Sequence, residues 1–238
     1  MKKEAFVIDP PQPASVAVQG GGLFPVRRIF CIGKNYADHV KEMGGDPKAN
    51  RPVFFTKPAD AVAQSGATIP YPQATENLHY EGELVVALKT GGRDIASREA
   101  AQACIFGYAA GCDLTRRDLQ AAAKKAGGPW DASKAVDHSA PIGDIMRADA
   151  LAPGFLEEGR ISLAVNGAER QNAALASMIW PVPDIIIALS RLFELKPGDL
   201  IFTGTPEGVG PLKAGDRVEV RIGGLPPLAF AIGPAHAR

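Results

Sequence analysis

Only three cysteines occur in 238 residues, Cys31, Cys104 and Cys112. They sit in apolar surroundings (IFCIG, CIFGYAAGC) without the paired doublets of a zinc site. An odd set of this kind excludes a disulfide framework and points to buried free thiols in a reducing compartment. Charge bias is absent as well: 26 Lys plus Arg stand against 26 Asp plus Glu, which speaks against a nucleic-acid ligand. No stretch approaches the ~18 continuous apolar residues of a membrane span. The two N-terminal lysines are followed by Glu4 and by prolines where a signal peptide would carry its apolar core. Internal repeats and low-complexity tracts are lacking too. The expectation is a cytoplasmic protein with neither membrane nor nucleic acid as partner.

What is present is an ordinary globular composition, 46% hydrophobic and 22% charged, with 26 glycines and 20 prolines spread along the chain. Short aliphatic runs between such punctuators predict many short strands joined by tight turns. Strands are expected at 28–33, 53–56, 68–69, 81–88, 105–113, 161–165, 199–203 and 217–222. The last of these alternates Val and Arg with period two. Helices are expected at 36–43, 97–103, 115–125 and 182–192. Residues 1–24, rich in Pro and Gly, read as an edge strand and connector, leaving 25–238 as one large domain. The fold class is mainly β (α+β), with a few short peripheral helices.

One local constellation carries chemistry. In HYEGELVVAL the apolar run makes 81–88 a strand entering the core, and alternation puts Glu81 and Glu83 on one face with Gly82 between them. Two carboxylates side by side at the mouth of an apolar strand repel each other and are costly to desolvate unless a cation neutralises them. The competing reading is an exposed edge strand with two solvated glutamates. Asp113 closes a second small-residue strand (GYAAGCD) and by itself would serve as a helix N-cap. Three carboxylates without an accompanying His or Cys cluster favour a hard ion, Mg²⁺, Mn²⁺ or Ca²⁺, over zinc.

Several segments then occur in one order: GKNYADHVKEM at 33–43, FTKP at 55–58, YEGEL at 80–84, GYAAGCDLTRRDLQ at 107–120, Lys134, and FTGTPEGVG at 202–210. Together they resemble the fumarylacetoacetate hydrolase family across roughly residues 24–233. Within it the chain looks most like the short acylpyruvate hydrolases, and the opening GGGLFPVRR is similar to bacterial fumarylpyruvate hydrolases. The resemblance implies a mixed β-roll, a Mg²⁺ or Mn²⁺ ion and a homodimer. It places metal ligands on Glu81, Glu83 and Asp113, and substrate contacts on Arg117, Gln120 and the Gly204–Thr205 pair. The active-site lysine falls on Lys134 and a lid dyad on His39 and Glu42.

His39 and Glu42 are three apart in a short polar helix, so both side chains share a face and the carboxylate can orient the imidazole. From spacing alone the pair could equally be incidental on a surface helix. Gly44, Gly45 and Pro47 suit a hinge for this helix. The implied activity is hydrolysis of a 3-acylpyruvate to pyruvate and a carboxylic acid, fumarylpyruvate being the preferred substrate. Decarboxylation of oxaloacetate, or isomerisation or decarboxylation of a dienoate diacid, would use the same site. A third possibility is a non-catalytic metal-stabilised dimer that binds keto acids. Lys57 is left open between a buried structural role and the site. His79 reads as a strand-face residue, and His138 and His236 as surface histidines. GTPEGVG lacks the Lys-Ser/Thr ending of a phosphate-binding loop, and the aliphatic stripe at 183–195 reads as core.

Overall fold

The computed structural model describes residues 6–42, 44 and 52–235. Gly45, Pro47 and His236 lie outside the described residues, as does Met43 at the end of the first expected helix. The architecture is the mixed β-roll, with few and short helices. Its larger sheet runs in the spatial order Val53–Lys57, Arg28–Gly33, Asp199–Phe202, Gly82–Leu88, Ile105–Cys112, Ala140–Ile142, Val62–Gln64, and the two-residue strand Met146–Arg147 also pairs with Ile105–Cys112. Arg28–Gly33 and Asp199–Phe202 run parallel, while Gly82–Leu88 is antiparallel to both of its neighbours. A second sheet orders Ala168–Ala174, Arg160–Val165, Arg217–Ile222, Leu228–Ala235 and Thr68–Tyr71.

Every residue of Gly82–Leu88 is buried, which explains its unbroken apolar run. Leu84, Val86 and Leu88 face the core shared with the second sheet, packing with Leu163, Val218 and Phe230. Val85 and Ala87 face an opposite layer with Val16, Phe24 and Ile29. A strand covered on both faces has no solvent side on which to place polar residues. Strand alternation still operates, but between two apolar cores.

The strand expected at 81–88 forms as Gly82–Leu88, and a separate short strand, Leu78–Tyr80, precedes it. Leu78–Tyr80 pairs with Thr115–Arg116 and Gly210–Pro211 in a separate small sheet, and Gly82–Leu88 belongs to the large one. Glu81 stands between the two strands. The helix expected from 115 begins at Arg117 and runs Arg117–Ala126, because Thr115 and Arg116 are drawn into the small sheet; Gly127 closes it at φ 66°. The first helix is Ala37–Glu42, the second Arg98–Ala103 with the Ser97 hydroxyl accepting from the Ala100 amide, and the long apolar one Val182–Leu192. Several short strands escaped the reading of the sequence, among them Val62–Gln64, Leu78–Tyr80 and Ala140–Ile142, and so did two long ones, Ala168–Ala174 and Leu228–Ala235. Of the long ones, the first is mostly exposed and polar, and the second contains Gly233 and Pro234. Among the described residues no helix is long and apolar enough to cross a membrane.

Candidate active site and metal centre

Strand register brings the three carboxylates together. Gly82 lies opposite Cys112 and Glu83 opposite Gly111, so Asp113 emerges beside Glu81, and its amide donates to the Glu81 carbonyl at 2.8 Å. Glu81, Glu83 and Asp113 are 6%, 1% and 0% exposed, and one oxygen of each lies within 4.8 Å of the others. This excludes the solvated edge-strand alternative. Gly82 also permits the close approach from behind that its lack of a Cβ suggested. A Cβ there would meet Leu163 Cδ1 at 3.1 Å and Gln171 Oε1 at 3.2 Å.

Three cationic side chains surround these acids. Lys134 Nζ donates to Glu81 Oε2 at 2.7 Å, Asp113 Oδ2 at 2.6 Å and the Thr115 hydroxyl at 2.6 Å, which commits all three of its hydrogens. Lys57, left open by the sequence, is fully buried against the centre, its Nζ 2.8 Å from Asp113 Oδ1 and donating to Ser139 Oγ and to the Leu114 and Lys134 carbonyls. Arg117 Nη2 donates to Glu81 Oε1 at 2.5 Å. Burial works against the Glu81 carboxylate, but Lys134 and Arg117 prevail and hold it well below the usual range. Glu83 has no such partner among the described residues. It accepts only the Gly204 amide, at 2.7 Å, and burial, then repulsion from Asp113 and Glu81, push its carboxyl well above the usual range.

These features fit a divalent cation. Glu83 is a buried acid without a cation, and buried Asp113 Oδ1 lacks a well-aligned hydrogen bond although Lys57 is close. The donor set is all oxygen, which selects hard divalent ions over zinc.

His39 and Glu42 meet as the spacing suggested, with His39 Nδ1 3.1 Å from Glu42 Oε2. The other carboxylate oxygen of Glu42 accepts the Gly208 amide at 3.2 Å. His39 is 6% exposed, so this is not an incidental surface pair. Engagement of Nδ1 by the carboxylate leaves Nε2 as the ring nitrogen available to a water molecule. Asn35 anchors the start of this segment. Its amide donates to the Thr203 and Trp180 carbonyls at 2.8 and 3.1 Å and accepts from the Trp180 amide at 2.7 Å.

His39, Glu81, Glu83, Arg117, Gln120, Lys134 and Thr205 line one cleft, which Trp130 and Phe55 wall on an apolar side and Lys34 and Lys124 complete. Arg117 Nη1 donates to Gln120 Oε1 at 2.6 Å, so it is the Gln120 amide hydrogens that remain for a ligand. The Gly204 amide, in contrast, is already given to Glu83. Of the Gly204–Thr205 pair, Thr205 is the member that faces the cleft.

His79 is more than a strand-face residue. Its Nδ1 lies 3.4 Å from Arg117 Nε and its Nε2 meets Asn77 Oδ1 at 2.9 Å; burial and then Arg117 push its pKa down to about 4. His138 is exposed, as expected. Gly44 of the expected hinge adopts φ 75°. Lys57 carried one usable signal, a charge closing an apolar strand, whereas Asn35 and Gln171 carried none.

The profile of the fumarylacetoacetate (FAA) hydrolase C-terminal region matches residues 28–232. A fumarylpyruvate hydrolase from Ralstonia sp is 42% identical over 191 residues, covering 80% of this chain and 97% of its own. The oxaloacetate tautomerase YcgM of Escherichia coli (strain K12) is 40% identical, over 84% of this chain and 90% of its own. Among solved structures, fumarylpyruvate hydrolase from Pseudomonas aeruginosa, in complex with Mn²⁺ and pyruvate, superposes with a TM-score of 0.93 at 45% identity, covering 97% of this chain and 100% of that one.

Proposed function

The chain belongs to the fumarylacetoacetate hydrolase family, and from that premise we propose that it hydrolyses the C3–C4 bond of a 3-acylpyruvate. Fumarylpyruvate is the preferred substrate, yielding fumarate and pyruvate in aromatic-compound degradation. We further take it to act in the cytoplasm as a homodimer with Mg²⁺ or Mn²⁺. The observation that carries the reading is a buried His39, held at Nδ1 by Glu42, that lines the same cleft as Glu81 and Glu83. A site that only binds a keto acid has no use for an oriented imidazole.

Glu81, Glu83 and Asp113 would hold the divalent ion, which supplies Lewis-acid polarisation of the 1-carboxylate and 2-oxo end of the substrate. The chain's own groups do the rest. His39, oriented by Glu42, takes a proton from water, and the water oxygen bonds to the distal acyl carbonyl carbon, C4. The C3–C4 bond then breaks, and its electron pair passes to the pyruvate fragment as an enolate. The imidazolium returns its proton to C3, giving pyruvate; the acyl fragment leaves as a carboxylic acid and ionises, releasing one proton. Lys134 stabilises the charge through the acids it holds, since its three hydrogens are committed to Glu81, Asp113 and Thr115. Gln120 and the Thr205 hydroxyl bind polar substrate atoms, and Lys34 and Lys124 on the cleft wall favour an acyl group that ends in a carboxylate.

Similarity to the oxaloacetate tautomerase supports a second reading, proton transfer between enol and keto forms on the same site. Loss of the enol absorbance of fumarylpyruvate with stoichiometric pyruvate supports hydrolysis. Ketonisation of oxaloacetate enol without pyruvate from any acylpyruvate favours the tautomerase and overturns the hydrolase.

A further inference from the structure

Ala168–Ala174 (AERQNAA) is an exposed, polar strand of the second sheet in which Gln171 is buried, 2% exposed, between the outward-facing Arg170 and Asn172. The register shows where the regular alternation stops. Leu163 pairs with Gln171 but the next residue, Ala164, pairs with Glu169, so Arg170 is an extra residue in the strand. A bulge of this kind bends the strand and re-aims its side chains. Here alternation with buried Ala173 already turns the Gln171 amide inward, toward the back of the carboxylate centre, and the bulge ends that alternation at exposed Arg170.

The amide's orientation is fixed by its partners. The Gly82 amide donates to Gln171 Oε1 at 2.9 Å, between the two ligand glutamates. A flipped amide would set an NH₂ against that N–H, so Oε1 is the oxygen and Nε2 the donor. Nε2 donates at 2.8 Å to the Thr205 hydroxyl and at 2.8 Å to the Pro206 carbonyl, with the Glu207 carbonyl at 3.3 Å. Because Nε2 can only donate, Thr205 Oγ1 must accept there, and its own hydrogen is left for another partner. Thr205 lines the cleft. The same loop reaches Gly208, which passes so close to the strand that a Cβ would sit 2.2 Å from the Arg170 carbonyl. The Gly208 amide in turn donates to Glu42.

We propose that Gln171 is a positioning residue, which fixes the Thr205 hydroxyl as a donor toward the ligand and ties the loop bearing it to the strand of Glu81 and Glu83. It touches neither substrate nor reacting atoms; it acts through Thr205. The inference rests on the reading of Thr205 as a ligand-binding hydroxyl, and so its test is a binding measurement that does not depend on turnover.

Gln171→Glu keeps the length of the side chain and its acceptor for Gly82 but replaces the donor by an acceptor. The Thr205 hydroxyl then donates to residue 171 and is lost to the ligand. Calorimetric titration of the Mn²⁺-saturated protein with oxalate is carried out on wild type, Gln171→Glu, Thr205→Val and the double variant. Each single substitution is expected to weaken oxalate binding about tenfold, and the double no more than about twofold beyond either, since both remove the same hydrogen bond. Multiplying effects, about a hundredfold in the double, would show that Gln171 merely supports the fold and would overturn the proposal. Unchanged oxalate affinity in Thr205→Val would also overturn it. Should Gln171→Glu not fold, Gln171→Met, which keeps the bulk without the amide, enters the same cycle. Absence of acylpyruvate turnover by the wild type would sink the hydrolase reading while leaving this cycle legible.

Discussion

Glu83 accepts the Gly204 amide at 2.7 Å and has no ion-pair partner among the described residues, although Glu81 and Asp113 beside it share Lys57, Lys134 and Arg117. Three cations therefore pair with only two of three buried acids. The remaining acid fits a cation site better than a closed internal salt-bridge cluster.

Because burial and neighbouring negative charge raise the Glu83 carboxyl, the metal-free protein keeps a proton there to higher pH than a free carboxyl would, and a bound ion must displace it. Holding that proton is favourable at low pH, and the advantage is lost as pH rises through the raised value. Mn²⁺ affinity is thus expected to climb with pH, with proton release on binding. Calorimetry in two buffers of different ionisation enthalpy measures that release. Glu83→Gln should abolish the release and weaken Mn²⁺ at least tenfold; undiminished affinity would remove Glu83 from the ligand set.

His39→Ala is expected to lower hydrolysis of fumarylpyruvate by roughly 10²–10⁴-fold, the usual contribution of a positioned general base. Ketonisation of oxaloacetate enol, which needs no water activation, should fall far less. Parallel assays of pyruvate release and enol disappearance make the comparison, and equal losses in both would contradict the assigned role.

Lys57 is wholly buried with its charge against Asp113. Lys57→Met keeps the aliphatic stem but removes one partner of a buried pair, a change that costs about 3–5 kcal/mol in general. Lys134 still holds the other Asp113 oxygen, so the lower end of that range is expected in urea unfolding of the metal-free protein. Mn²⁺ should restore part of the loss by replacing the missing positive charge.

Lys124 lies 5.2 Å from the centre of the Trp130 ring, on the cleft wall. Lys124→Ala is expected to raise KM for fumarylpyruvate about tenfold and leave acetylpyruvate, which lacks a distal carboxylate, within about twofold. A tenfold loss on both substrates would assign Lys124 to something other than the distal carboxylate.

The sequence by itself determined the elements whose periodicity is local and the acids whose spacing is local. Glu81 and Glu83 share a face because strands alternate, and His39 and Glu42 meet because a helix places residues three apart side by side. The ordered motifs also carried the family, which supplied Asp113, Lys134 and the loop at 204–205. Tertiary structure decided everything that depends on register between distant strands. It committed the Gly204 amide to Glu83, buried Lys57 against Asp113, and placed one glutamine of a polar strand behind Thr205. Such placements have no signature along the chain, because the partner of a buried polar atom is chosen by which segments fold against it and not by its neighbours in sequence.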